Sequence, residues 1–310
     1  MKNSIKVFAP ATIANLSAGY DVLGLAVHSP GDEVIIELNE SGKVIIDSIT
    51  GDQGKLPRDP EKNAVSSVVI QYLKQRDLSF GAKITLHKKM PFGSGLGSSA
   101  ASAVAGLVAI NGLMENPWER KALLPLAMEG EKVACGHAIA DNVASSLMGG
   151  VILIRSYHPL DVISLPFPEN LFFSLVYPHV NIPTLEARKI IQPKVALKDA
   201  IIQWGNVGGI VAGFCTNDID LIARSMQDVI VEPVRAILIP YFYDLREIAL
   251  INGALGFGIS GSGPTVFAVS NNELLASEIS EKLQIFLQQK NIKSDTFVSS
   301  INKEGAKIIS

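Results

Sequence analysis

The segment PFGSGLGSSAAS at residues 91–102 places three glycines and four serines directly ahead of an apolar run, AVAGLVAING, that reads as a buried helix. A helix N-terminus carries unpaired backbone N–H groups and the positive end of the helix dipole, so such a junction suits an anion. Gly93, Gly95 and Gly97 let the backbone approach phosphate oxygens, and Ser94, Ser98 and Ser99 add hydroxyls that cap, donate or reach a metal ion. The plainer reading is a tight strand-to-helix turn with a serine N-cap. The residues alone leave both open.

Other known sites fit less well. The signature G-x-x-x-x-G-K-[ST] is absent. Gly95, Gly97 and Ala100 meet G-x-G-x-x-A, with Glu115 at the distance of a ribose-binding acid. The preceding KITLHKKM, however, alternates like a half-exposed strand, and Glu115 ends a helix where that motif needs a second strand. No G-x-S-x-G elbow occurs, and His28, His87, His137, His158 and His179 show no metal-ligand spacing.

The elements that must position the glycine-serine segment follow from periodicity. Strands are expected at IKVFA, EVIIEL, KVIID and KITLHK, and helices at NAVSSVVIQYLKQ, after the glycine-serine segment, and at NPWERKALLPLAMEGEKV with Asn116 as N-cap and Pro117 in the first turn. The loop ITGDQGKLPRDPEKN is read as solvated. After GGVILIRS the proline-rich YHPLDVISLPFPEN marks the expected domain boundary, giving domains 1–160 and 161–310. The second half reads as a strand at LFFSLVYP, several helices, two short strands around FGISGSGPTVFAV, a capped helix NNELLASEISEKLQIFLQQ and a last strand KSDTFVS, which is the split βαβ order. Two α+β domains with a site between them are expected.

A chain of 310 residues with 27 basic and 30 acidic side chains has a net charge of −3, and no basic stripe suggests a nucleic-acid partner. No apolar run reaches membrane-spanning length and MKNSIKVFAP enters a strand pattern directly, so a soluble, cytoplasmic protein without membrane contact is expected. Cys135 and Cys215 are far apart and read as small buried apolar residues, and the Leu/Ile/Val stripes of the later helices read as core.

PFGSGLGSSAAS resembles the P-x-G-x-G-L-G-S-S-A loop of the GHMP small-molecule kinases. APATIANLSAGYDVLGLAV and GFGISGSGPTVFAV resemble that family's first and third motifs, in the form found where the acceptor is homoserine. GEKVACGHAIADNVASSLMGGV and NIPTLEARKII are similar to further blocks of that branch, so the resemblance covers nearly the whole chain. It implies a two-domain GHMP kinase fold of the α+β class, with an N-terminal ribosomal-protein-S5-like domain and a C-terminal ferredoxin-like domain. It also implies ATP and Mg²⁺ as cofactors, L-homoserine as acceptor, and a homodimer. Another small alcohol as acceptor, or a non-catalytic binding protein on the same fold, are the alternatives.

The resemblance assigns ATP to the loop formed by Pro91, Gly93, Ser94, Gly95, Leu96, Gly97, Ser98 and Ser99, with Asn63 and Lys88 either at the base or ribose or, as an equal alternative, an ordinary cap and an exposed strand residue. It assigns magnesium to Glu131 and one of the two loop serines, Ser98 or Ser99, with Ser99 the expected ligand. Asn15 and Asn142 would hold the acceptor hydroxyl, Thr184 would lie beside the transferred group, and the turn Gly261, Ser262, Gly263 would line the same cleft. An amino-acid acceptor needs a carboxylate for its ammonium and guanidinium groups for its carboxylate, which suits Asp21, Arg188 and Arg235. Two departures stand out: Ile139 where the branch has histidine, with His137 displaced by two so that on a helix it would face another side while an end-of-helix loop would still admit it to the site, and Ser145 in place of a proline. Asparagine does not accept a proton at neutral pH, so transfer without a dedicated side-chain base is expected, with Asp141 the residue that could overturn this.

Overall fold

A computed structural model of the chain describes residues 3–180, 182 and 184–310, with the side chains of Thr184 and Leu185 outside that description. IKVFA extends into β1 (Ser4–Ala14), which pairs antiparallel with the long β2 (Leu23–Asn39). β3 (Val44–Thr50) lies parallel beside β4 (Gly81–His87), and β4 pairs with β2. Alternation sets the face of this sheet: Val34 and Ile36 of β2 and Ala82, Ile84 and Leu86 of β4 point into the core.

Helices cover that face. α1 (Ala64–Gln75) starts at Asn63, whose Oδ1 accepts from Val65 N. α2 (Ser98–Gly112) is buried from Ala100 through Asn111, and its alanines and glycines let neighbours approach closely: a Cβ at Gly106 would meet Val65. α3 (Leu124–Cys135) follows a 3₁₀ turn at Arg120–Leu123, so the helix begins seven residues later than Asn116 and Pro117 suggest. The Asn111 side chain binds both Trp118 N and Trp118 O, and the Trp118 ring packs against Tyr72 at 5.1 Å, which fixes that stretch as an extended link. α4 (Ala140–Met148) precedes β5 (Val151–Tyr157), which pairs with β2, and β6 (Leu160–Leu165), which pairs with β5. The first sheet therefore runs past position 160 to Leu165.

The second half follows the expected order. β7 (Phe172–Pro178) leads into α5 (Thr184–Lys189), α6 (Leu197–Thr216), α7 (Ile219–Ser225), α8 (Glu232–Arg235) and α9 (Phe242–Ile251). β8 (Gly256–Ile259), β9 (Val266–Ser270), α10 (Glu273–Gln289) and β10 (Ser294–Ser300) complete a four-stranded antiparallel sheet in the order β10-β7-β9-β8, the ferredoxin-like arrangement. Asn272 caps α10, accepting from Leu275 N at 2.8 Å. After β10 the chain returns to the first sheet, where β11 (Lys307–Ile308) pairs with β1.

Two expectations are corrected. The apolar stripe of α6 is not all core: Leu197, Ile201, Ile202 and Trp204 are exposed, Trp204 by 58%. Cys215, near the end of that helix, is exposed too, and Cys135 is half-buried in the last turn of α3. No helix among the described residues is long and apolar enough to cross a membrane.

Candidate active site

The glycine-serine segment turns through three left-handed glycines, Gly93 (φ 68°), Gly95 (φ 82°) and Gly97 (φ 67°), a region that side chains disfavour. Gly97 is the N-cap of α2 and no side chain caps that helix, so the amides of its first turn are left for a ligand. The serine-capped turn, the plainer reading of the sequence, is not what forms. Close approach also demands glycine: a Cβ on Gly95 would lie 2.5 Å from Ser260 O, and one on Gly97 would lie 2.6 Å from Asn142 Oδ1.

The segment is held from both domains. Thr12 N donates to Leu96 O at 3.0 Å, Thr265 N to Ser94 O at 3.0 Å, and Ser260 Oγ to Gly95 O at 2.8 Å. It borders a cleft of about 640 Å³ lined also by Lys55, Asn63, Phe92, Glu131, Asn142 and Gly261. Leu96 is fully buried in the core rather than on the cleft wall, and Pro91 only leads into the turn.

Lys88 has a structural task that its sequence position hides. Its ammonium forms a buried ion pair with Asp32 and donates to Ser98 O at 2.9 Å and Ser102 Oγ at 2.8 Å, so all three of its hydrogens have internal partners. Asp32 also accepts from Ser98 Oγ, Lys89 N and Met90 N. The pair thus moors the start of α2 to β2. Nothing in the spacing of Asp32 signals this role. Asn63 is likewise engaged, as the cap of α1 and through Nδ2 to Pro57 O at 2.9 Å, although it lines the cleft.

Glu131 of α3 is buried on the cleft wall, and its Oε1 accepts from Ser99 Oγ at 2.5 Å. Burial pushes its carboxyl above the usual range, while Ser99, the Cys135 thiol and more distant Lys88 favour the charge. It forms no ion pair with a described residue. A buried carboxylate beside a hydroxyl, both on oxygen donors and facing a phosphate-sized cleft, fits a small hard cation that keeps most of its ligands for water and phosphate. The half-buried Cys135 thiol is pushed up to about 12 by burial and by Glu131.

At the other side, β1 ends in an unusual turn: Asn15, Leu16, Ser17 and Asp21 all have left-handed φ values of 73°, 43°, 64° and 59°. Asn15 braces it, donating from Nδ2 to Gly261 O at 2.9 Å and accepting from Asp21 N at 3.1 Å. Tyr157 Oη adds a bond to Asp21 O at 2.7 Å. Asp21 receives the Arg188 guanidinium in a bidentate pair, with contacts of 2.7, 2.8 and 3.0 Å. Burial still holds the Asp21 carboxyl above its ordinary range.

Arg235, only 4% exposed, donates to Gly261 O at 2.9 Å and Ala187 O at 3.2 Å, and among the described residues it has no carboxylate partner. Both guanidinium groups approach the Tyr20 ring, Arg188 at 5.4 Å and Arg235 at 5.1 Å from its centroid. Asp21, Arg188 and Arg235 therefore meet around one ring as one carboxylate and two cations. The Thr184 side chain lies outside the described residues, so its expected place is left unassigned.

Asn142 faces the cleft; Asp141, 2% exposed, lies behind it and accepts from Asn142 N at 2.7 Å and Nδ2 at 3.1 Å. Burial, then the Asp21 charge, raises Asp141 to about 7. The Ile139 question also resolves: Ile139 is the extended N-cap residue of α4 and His137 lies in the loop after α3, so the helix-face argument does not apply. His137 is exposed at the rim, near enough to Asp21 for a positive charge there to favour the carboxylate. Ser145 is buried in α4, and its hydroxyl has no hydrogen-bond partner among the described residues.

The chain is similar to known proteins over nearly its whole length. The family model for the GHMP kinases N terminal domain matches residues 63–150, and that for GHMP kinases C terminal matches residues 210–289. A homoserine kinase of Chlorobium phaeobacteroides (strain BS1) is 48% identical, over 97% of this chain and 98% of its own. A homoserine kinase of Chloroherpeton thalassium is 46% identical, over 97% and 98%. The crystal structure of homoserine kinase from Cytophaga hutchinsonii superposes with a TM-score of 0.97 at 55% identity, covering 100% of this chain and 98% of that one.

Proposed function

Because the chain belongs to the GHMP kinase family, in its homoserine kinase branch, we propose that it transfers the γ-phosphoryl group of ATP to the side-chain hydroxyl of L-homoserine, giving O-phospho-L-homoserine and ADP on the route to threonine. The observation that carries the reading is the uncapped start of α2 at Gly97, which opens onto one cleft together with Glu131 and Asn142. Amides of the loop and of the first turn of α2 bind the phosphates, with the helix dipole aligned to their charge. Glu131 and Ser99 would hold Mg²⁺, which supplies positive charge against the phosphate oxygens.

Recognition of the acceptor rests on the three charged groups around Tyr20. Arg235, a buried cation whose bonds among the described residues are to carbonyls, attracts the α-carboxylate; Arg188 adds a second fork, and Asp21 takes the α-ammonium. Asp21 and Arg188 pair with each other within the chain, so a zwitterion would replace an internal pair with two external ones. Asn142 then orients the hydroxyl. Its amide takes no proton, and Asp141 lies behind it, so proton loss accompanies transfer, with alignment and electrostatics lowering the barrier.

ADP release measured with homoserine, with and without magnesium, tests the reading. Turnover of mevalonate or a sugar but not homoserine would point to another acceptor, and no turnover at all would leave a binding protein. We propose further that the protein is a cytoplasmic homodimer, for which the exposed apolar face of α6 at Leu197, Ile201 and Trp204 is the support. Light scattering of the wild type and of Trp204→Glu checks the assembly.

A further inference from the structure

The residue that joins the acceptor's anchor to the phosphate loop is Thr12, which has no assigned part in the chemistry above. It is fully buried near the end of β1, just after the β1–β2 register breaks between Pro10 and Thr12. Such irregularities re-aim side chains next to functional sites. Its hydroxyl donates to Asn142 Oδ1 at 2.6 Å, and its backbone N–H donates to Leu96 O at 3.0 Å. The α-carbon of Gly97 packs so tightly against Thr12 Oγ1 and Asn142 Oδ1 that no Cβ fits there. One residue thus touches the phosphate loop through its main chain and the acceptor's asparagine through its side chain.

Resting on the kinase reading, we propose that Thr12 is a positioning residue for phosphoryl transfer, fixing which way the Asn142 amide faces and how far it stands from the phosphate loop. The amide is held at both ends, because Thr12 donates to its oxygen while Asp141 accepts from its nitrogen. A flipped amide would set its oxygen against the Asp141 carboxylate and lose the short Thr12 bond. With the orientation fixed, Asn142 Oδ1 keeps one lone pair and Nδ2 one hydrogen for the acceptor hydroxyl. The hydroxyl oxygen must meet the γ-phosphorus in line, and small errors of placement cost rate steeply. Thr12 sets that placement without touching either substrate.

The test compares Thr12→Val, which keeps the shape and loses the donor, with Thr12→Ser, which keeps the donor. Thr12→Val lowers kcat on homoserine by roughly 10–100-fold with KM for ATP within about twofold, and Thr12→Ser stays within about threefold of wild type. ATP affinity by calorimetry reads the phosphate loop independently of turnover. In a double-variant cycle, Thr12→Val added to Asn142→Ala costs little more than Asn142→Ala alone, since both remove the same alignment. If Thr12→Val does not fold, Thr12→Cys, of similar size with a weak donor, carries the same expectation. Wild-type kcat in Thr12→Val or its Thr12→Cys substitute, a loss confined to KM for ATP, or full additivity in the cycle overturns the assignment. Absence of homoserine-dependent ADP release from the unaltered chain sinks the kinase reading as well, which separates the two failures.

Discussion

Replacing Asp21 with asparagine keeps the side chain's shape and removes the charge that both Arg188 and the acceptor's ammonium would use. A fully buried ion pair costs about 3–5 kcal/mol when one partner is removed, and an exposed one contributes at most about 1 kcal/mol. The Asp21 and Arg188 side chains are 27% and 25% exposed, so the pair stands between those limits. About 2 kcal/mol is a fair figure, equivalent to roughly 30-fold in kcat/KM. Asp21→Asn should lower kcat/KM for homoserine by that factor, mostly through KM, with KM for ATP unchanged. The assay should include 4-hydroxybutyrate, which keeps the hydroxyl and carboxylate and lacks the ammonium. For that acceptor the variant should lose nothing, because Arg188 is freed to join Arg235. Protonation of Asp21 acts in the same direction: burial holds its carboxyl above the ordinary range, so KM for homoserine should rise as pH falls through that raised value. Equal losses for both acceptors would refute the reasoning.

Other expectations are quickly checked. Glu131→Gln should leave ATP binding without magnesium nearly unchanged and lower magnesium-dependent kcat by about 10²-fold or more, measured by titrating the metal at fixed nucleotide. Asp141, raised to about 7, stays protonated in the folded chain at pH values where the unfolded chain has ionised. The fold should therefore lose stability as pH rises from about 4 to 7, and Asp141→Asn should flatten that slope in urea titrations. Ser145→Ala removes a buried hydroxyl with no partner among the described residues and should raise stability by about 1 kcal/mol, seen as a higher denaturation midpoint at constant m.

What the sequence made legible was what is local. The glycine-serine turn, the Asn272 cap and the strand order of the ferredoxin-like half follow from spacing and periodicity. The start of α3 did not, because Trp118, captured by Asn111 and packed against the distant Tyr72 of α1, overrode the Asn-Pro signal. Lys88 reads as an exposed strand residue because its partner, Asp32, lies 56 positions away. Thr12 and Tyr157 are single polar residues in strands, and only the packing of several elements shows which backbone or amide each one holds. The outer face of α6 reads as core because periodicity reports an apolar stripe without reporting what covers it.

The return of the chain's end to its beginning has a mechanical consequence. β11 pairs with β1, Lys6 N donates to Ser310 O at 2.9 Å, and Ile309 N donates to Lys6 O at 2.8 Å. The polypeptide consequently crosses between its two halves twice, once after β6 and once after β10. A body attached at two points turns about the line through them and does not swing freely as it would on one tether. Any opening of the cleft to admit nucleotide is thereby confined to a narrow hinge, and trimming the final residues would loosen one of its two pins.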